Sequence, residues 1–506
     1  MRSPFPRRRT RLLAPLLLTP LLAGCFATGP GGESGEKGEN GAGDGSRLRV
    51  ALAFPPAEQL SPYGADATIL SRLGVTEGLT ALDADGTAVP ALARSWTQPD
   101  DRTWEFTLRD DAVFQDGGEV TPAAVATALG HAAGARPQPA ALTGVTLTAK
   151  AAGERTVRII TGAPDPVLPL RLASPNLGIL SGAAYQGDRV DPVGTATGPF
   201  ELTEVSGATS ATLERNDDHW DGRAQAPGID VRFIADGTAR AAALRTGQVD
   251  IAEAVPVAQA ATLDPETVRE TATTRTTNLL LNSDKGVFRD PALRAAARAA
   301  VDTGALADGV YEGHADPGAG IYGPAVSWAE ERRREPVGRA AAKDPDGTAI
   351  TLATYDNRPE LPEVAQVLKQ QLERAGFEVT LDVREYSRIE SDALAGTFDA
   401  FVLARNSLVD TGDPVAILAS DYSCDGGYNL ALLCDPSVDR AIADAEGIAD
   451  TERRRDATMT AEARLLGTDA VIPLVHQRII TGVGTEVREV LLDPYERTLV
   501  TTATHR

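Results

Sequence analysis

TAITLATYDNRPELPEVAQVLKQQLERAGFEVTLDV, residues 348–383, reads as a strand, a helix and a second strand. Residues 348–353 mix β-branched and small apolar side chains in the short run expected of a strand. Over residues 362–375, Val364, Val367, Leu368 and Leu372 fall on one face of a helix, the stripe needed to lie on a sheet. Gly376 supplies a helix stop, and residues 378–383 form the next strand. Two strands bridged by a helix make a βαβ unit, with a parallel pair and a right-handed crossover. That decides the class: α/β.

The pattern continues outward. FDAFVLA, residues 398–404, is a further buried strand, and residues 290–301 form a helix with Leu293 and Ala297 inward. TWEFTL, residues 103–108, alternates strictly, as a half-buried strand does. Thr121 and Pro122 cap and open a helix running through Val125 and Leu129. Residues 48–53 read as a short strand, and residues 69–80 carry helical spacing ahead of the turn at 83–86. Trp96, Trp104 and Trp220 read as core aromatics rather than ligand platforms. No fixed-period repeat is visible.

The start of the chain has its own logic. Arg2, Arg7, Arg8, Arg9 and Arg11 precede an apolar run over residues 12–23, shorter than the roughly 20 residues needed to span a bilayer. A basic start, a short apolar middle and small residues after it describe a secretion signal, residues 1–24. Leu22-Ala23-Gly24-Cys25 resembles a bacterial lipobox, which implies a lipid on Cys25 and residence at the outer face of the cell membrane. Residues 25–47 are rich in glycine and polar side chains, with little to bury, and are expected to form a flexible tether. No later segment is long and apolar enough to span a membrane.

The 506 residues carry 49 Lys and Arg against 71 Asp and Glu, a net charge of −22. Such acidity argues against nucleic acid and against electrostatic docking on anionic lipid. Besides Cys25 there are two cysteines, Cys424 and Cys434, an even remainder that favours a disulfide in an oxidising compartment. The five histidines lie far apart without metal-ligand spacing. There is no GxSxG elbow, no HExxH and no phosphate-binding GxxxxGK[ST] loop, so neither an exported hydrolase nor an ATPase finds its motif.

Six strings identify a family when taken together. They are VPALARSW (89–96), TWEFTLRDDAVFQDG (103–117), GTATGPFEL (194–202), RNDDHW (215–220), ALRTGQVDI (243–251) and DPALRAAARAAVD (290–302). In content and order they resemble the extracytoplasmic solute-binding proteins of family 5, the peptide and nickel branch of ABC importers. The resemblance implies a two-lobed periplasmic-binding-protein-like fold (type II, cluster C) with an additional small inserted domain. Lobe I would take residues 48–75, 190–277 and 478–506; residues 76–189 would be the insertion and 278–477 lobe II. The strands crossing near 276–278 and 476–480 would form the hinge.

The same resemblance implies a monomer that binds a small ligand outside the membrane, closes on it and delivers it to a permease with cytoplasmic ATPase subunits. No cofactor is implied. The C-terminal lobe is closest to the dipeptide binders. There Arg358 of NRP (357–359) matches the arginine that grips a ligand α-carboxylate, and Asp410 of DTGDP (410–414) the aspartate that receives its α-amine. Tyr386 stands where an aromatic, usually Trp, lines the site, and Ser407 where a Trp often precedes the aspartate. Cys424 and Cys434 match a disulfide of that subfamily. An arginine offers a carboxylate two parallel donors, and a carboxylate accepts from an ammonium, so the pair suits a zwitterion. Taken without the family, each is an ordinary solvated loop charge. The competing reading within the family is a nickel or other metal chelate, whose carboxylates would meet arginines with few direct metal ligands; the nickel-binding members generally lack both the arginine and the first aspartate of these motifs.

Overall fold

The computed structural model describes residues 46–506. The signal segment, Cys25 and the glycine-rich stretch up to residue 45 lie outside the described residues.

Ten strands follow one another in a single mixed sheet. Their order is Glu378–Arg384, Ala349–Tyr355, Ala400–Asn406, Val268–Leu281, Val471–Val483, Ile251–Ala252, Leu48–Leu52, Gly228–Phe233, Ser210–Arg215 and Phe200–Ser206. An eleventh, Ala315–Pro317, pairs with Val471–Val483 off this path. Two of these strands are far longer than the rest, Val268–Leu281 with 14 residues and Val471–Val483 with 13. They run antiparallel from Val268 opposite Gly482 to Leu280 opposite Val471, with register shifts at 272/276 and 277/278. One end pairs with Ala400–Asn406 and the other with Ile251–Ala252, so they carry the chain between two halves of the molecule.

Each half has its own core. One is built from residues 279–475 with Tyr495, and a second from residues 48–75, 180–233 and 483–500 with Ile251. A third, over residues 79–179, packs the helix Pro122–Gly134 on a separate four-stranded sheet, in the order Ala93–Asp100, Thr103–Leu108, Thr156–Thr161, Leu147–Ala151. Its alternating strand buries Trp104, Phe106 and Leu108. The expected βαβ unit is present: Ala349–Tyr355 and Glu378–Arg384 are parallel, joined by the helix Glu360–Arg374. That helix buries Leu361, Val364, Ala365, Leu368 and Leu372, with Val367 at the margin of the stripe.

The helical reading of residues 69–80 is corrected. The helix is Ala67–Arg72, and Thr80–Leu82 is a strand. Tertiary pairing overrides the local pattern: the Gly74 carbonyl accepts from the Phe200 amide (3.1 Å) and the Val75 carbonyl from the Gly198 amide (2.9 Å). A Cβ at Gly198 would stand 2.2 Å from the Gly74 oxygen and 2.6 Å from that of Val75, so no side chain fits. The Gly198 carbonyl in turn accepts from Gln115 Nε2 and Asn216 Nδ2, each at 3.1 Å. Three of the six family strings therefore meet at one bend.

Candidate functional site

The strand Ala349–Tyr355 lies between two parallel partners, Glu378–Arg384 on one side and Ala400–Asn406 on the other. The chain crosses first to one side and then to the opposite side. The carboxyl ends of the strands flanking such a switch diverge and leave a crevice where ligands bind in open α/β sheets. Arg358 follows directly on Ala349–Tyr355, and Asp410 follows Ala400–Asn406 before the helix Pro414–Tyr422. Topology alone brings the two together.

They face a cavity of about 700 Å³ whose other walls come from the N-terminal half (Phe54, Tyr63, Arg72) and from Arg275 and Glu496. The Arg358 side chain is 23% exposed, and its nearest carboxylate, Glu360, is 3.7 Å away, beyond hydrogen-bond reach. Its guanidinium makes no hydrogen bond among the described residues, so its donors remain unspent toward the cavity. Asp410 is 35% exposed and has Arg405 at 3.8 Å. Arg405 also donates to Asp421 (3.0 Å) and lies over the Tyr428 ring. Burial opposes the Arg405 charge, but Asp421 and Asp410 outweigh it and raise its pKa.

A second charged group occupies the same wall. Glu496 accepts two hydrogen bonds from Arg275 (both 3.2 Å), one from Arg72 (3.4 Å) and one from Asn406 (2.9 Å). Arg72 also pairs with Glu253. Burial pushes the Glu496 carboxyl up, yet Arg275, Arg72 and Arg358 outweigh it and hold it down at about 2. Nothing in the local sequence marks Arg72, Arg275 or Glu496, which lie hundreds of residues apart.

Tyr386 and Ser407 do not line this cavity. Tyr386 stands one layer behind, its hydroxyl on Glu390 (2.7 Å) and against that of Tyr428, the ring that carries Arg405. Asn357 ties the loop of Arg358 to it, accepting from the Tyr386 amide at 2.7 Å. The Ser407 hydroxyl is spent on the Thr274 carbonyl (3.0 Å). In DTGDP only the first aspartate reaches the cavity; Asp413 is buried against Arg454 and caps the helix Pro414–Tyr422. Cys424 and Cys434 are joined, with S–S 2.08 Å and Cα–Cα 4.4 Å. Asp439 is their neighbour, but sulfurs bonded to each other are not thiolate ligands, so this cluster is no metal site.

The model of the family described as bacterial extracellular solute-binding proteins, family 5, middle, matches residues 87–429. The chain belongs to that family. Family 5 proteins are extracytoplasmic transport components, not enzymes, and deliver substrate to an ABC permease and its ATPase. This one is the substrate-binding protein of an ABC importer. Among curated relatives, a nickel-binding protein of Staphylococcus aureus, NikA, is 25% identical, over 81% of this chain and 84% of its own length. A glutathione-binding protein of Shigella dysenteriae, GsiB, is 28% identical over 84% of this chain and 88% of its own. The crystal structure of the S. aureus NikA in complex with Ni(L-His)2 superposes with a TM-score of 0.76 at 22% identity, covering 91% of this chain and all of the other. It shows the shared two-lobed fold. No helix among the described residues is long and apolar enough to cross a membrane.

Proposed function

We propose that this family 5 protein captures a short peptide, its carboxylate on Arg358 and its amine on Asp410. The observation that carries this reading is an arginine with unspent donors facing the same 700 Å³ cavity as a half-buried aspartate. Each pair is a charge-assisted contact worth about 1.5–3 kcal/mol, and the spacing between the two charges measures the ligand. Residues 48–75, 190–277 and 478–506 form one lobe and 278–477 the other, with 76–189 inserted; they close about the two long strands and expel water. The glutathione-binding relative supports a peptide, since glutathione is itself one.

Arg358→Ala and Asp410→Ala are each expected to weaken dipeptide binding about tenfold or more in calorimetry. Unchanged affinity in both variants refutes the assignment. The nickel-binding relative favours a second reading, a metal chelate whose carboxylates meet Arg358. Mass spectrometry of the ligand that co-purifies with the protein separates a peptide from a chelate.

The protein acts as a monomer anchored by lipid on Cys25. Cys25→Ser is expected to release it into the medium, and retention at the membrane would count against the anchor.

A further inference from the structure

Three arginines, Arg72, Arg275 and Arg358, face the cavity, and each is a potential seat for a ligand carboxylate. Two of the three are already engaged. Glu496 takes two donors of Arg275 in parallel, the arrangement a bound carboxylate would adopt, and one of Arg72, whose closer carboxylate is Glu253 on the same cavity wall.

The backbone is built to present this group. Glu496 adopts a left-handed conformation, φ 60°, which costs energy in any residue with a side chain. Asp493 holds it there by accepting from the amides of Tyr495 (2.9 Å), Arg497 (2.7 Å) and Thr498 (2.9 Å). On the opposite side Asn406 fixes one carboxylate oxygen at 2.9 Å. The loop is thus fastened at both ends of its turn, and the carboxylate is rigid.

We infer that Glu496 is a specificity-determining residue, a built-in carboxylate that leaves the cavity a single open carboxylate seat, at Arg358. The inference rests on the reading that Arg358 receives the ligand's carboxylate, and it names the substrate class: zwitterionic peptides with no second carboxylate. An acidic peptide or a carboxylate-rich metal chelate would bring its extra anion toward Arg275 and Arg72 and meet Glu496 instead. Like charges forced together in a closed, water-poor cleft repel strongly.

The test is calorimetry of the purified protein with Ala-Ala, Ala-Glu and glutathione, on the wild type and on Glu496→Gln. Gln keeps the shape and loses the charge. The wild type is expected to bind Ala-Ala at least about tenfold more tightly than either acidic peptide. In Glu496→Gln the preference is expected to fall about tenfold or reverse. Acidic peptides should also raise the melting temperature of the variant more than Ala-Ala does, which a purely structural role of Glu496 would not produce. If the variant fails to fold, the wild-type preference still decides: equal affinity for Ala-Ala and Ala-Glu overturns the inference. An unchanged preference in a folded variant overturns it as well, while the assignment of Arg358 survives if Arg358→Ala still weakens binding. No binding of any peptide by the wild type overturns both.

Discussion

Arg454→Met is expected to lower the stability of the protein by about 3–5 kcal/mol. Arg454 and Asp413 are a buried pair, their side chains 6% and 2% exposed. Arg454 Nε donates to one Asp413 oxygen at 2.9 Å and Nη2 to the other at 2.7 Å. Its remaining nitrogen, Nη1, donates to the carbonyls of Ala445 (3.0 Å), Glu446 (2.7 Å) and Ile448 (3.0 Å). Those carbonyls belong to the end of the helix Pro436–Glu446 and the turn after it, where backbone oxygens lack helical partners. Methionine fills much of the volume but leaves the Asp413 carboxylate charged, buried and without its cation, and removes a donor from three carbonyls, of which Ala445 keeps the Ile448 amide (3.2 Å). Breaking one side of a buried pair is the costly case, because the stranded charge cannot return to water. Urea unfolding of wild type and variant measures the difference, and a loss below about 1 kcal/mol would contradict the account. Asp413 caps the helix that begins four residues after Asp410, so the variant should also loosen the loop that carries Asp410.

The second large effect is on acid stability. His476 lies opposite Thr276 in the two long strands, beside the first register shift. Thr276 Oγ1 gives its proton to the Ile321 carbonyl (2.9 Å), so it accepts from His476 Nδ1 (2.9 Å), and Nε2 accepts from the Ala319 amide (3.2 Å). A second ring proton would point at an N–H that is itself a donor. Burial, with Arg333 adding to it and Asp316 opposing, lowers the His476 pKa to about 4 from the ordinary 6.5. A depressed folded value contributes stability that is complete above pH 6.5, where both states are neutral. It is lost as pH falls toward 4, because the unfolded chain takes up the proton first. The loss amounts to about 3 kcal/mol. Glu496 adds a further stage of the same sign: its carboxyl, held at about 2 against an ordinary 4.5, contributes stability that disappears between pH 4.5 and 2. Urea midpoints measured at pH 7, 5 and 4 should fall steadily, and His476→Gln should flatten the decline above pH 4. A variant with the wild-type slope would show that His476 is not its source.

The parts that were legible in the sequence are local. The βαβ unit at 348–383 announces itself because its helix repeats every 3.6 residues and its strands are short and β-branched. Once strand order is known, Arg358 and Asp410 fall at neighbouring strand ends on one cavity. Residues 69–80 misled because their helical spacing is real, while the pairing of Gly74 and Val75 with 198–200 is invisible from either segment. Tyr386 and Ser407 stand close behind the cavity wall but are turned to Tyr428 and Thr274, a matter of side-chain direction. Glu496 was beyond reach altogether. Its partner Arg72 is 424 residues away, and in sequence each is one more charge on an acidic chain.

The two long strands also decide the order in which the molecule is finished. The edge of Ile251–Ala252 is completed only by residues 482 and 483, and Arg72 finds Glu496 only when nearly the whole chain exists. The part of the sheet that holds residue 48 is thus begun first and closed last, by the same strand Val471–Val483 that completes the other core. Contacts of such sequence separation form slowly, because a long loop must close before they gain anything. A nascent chain still missing its last few dozen residues is therefore barred from a complete N-terminal core. The edge strand Ile251–Ala252 therefore gains its second partner only once the strand Val471–Val483 is made.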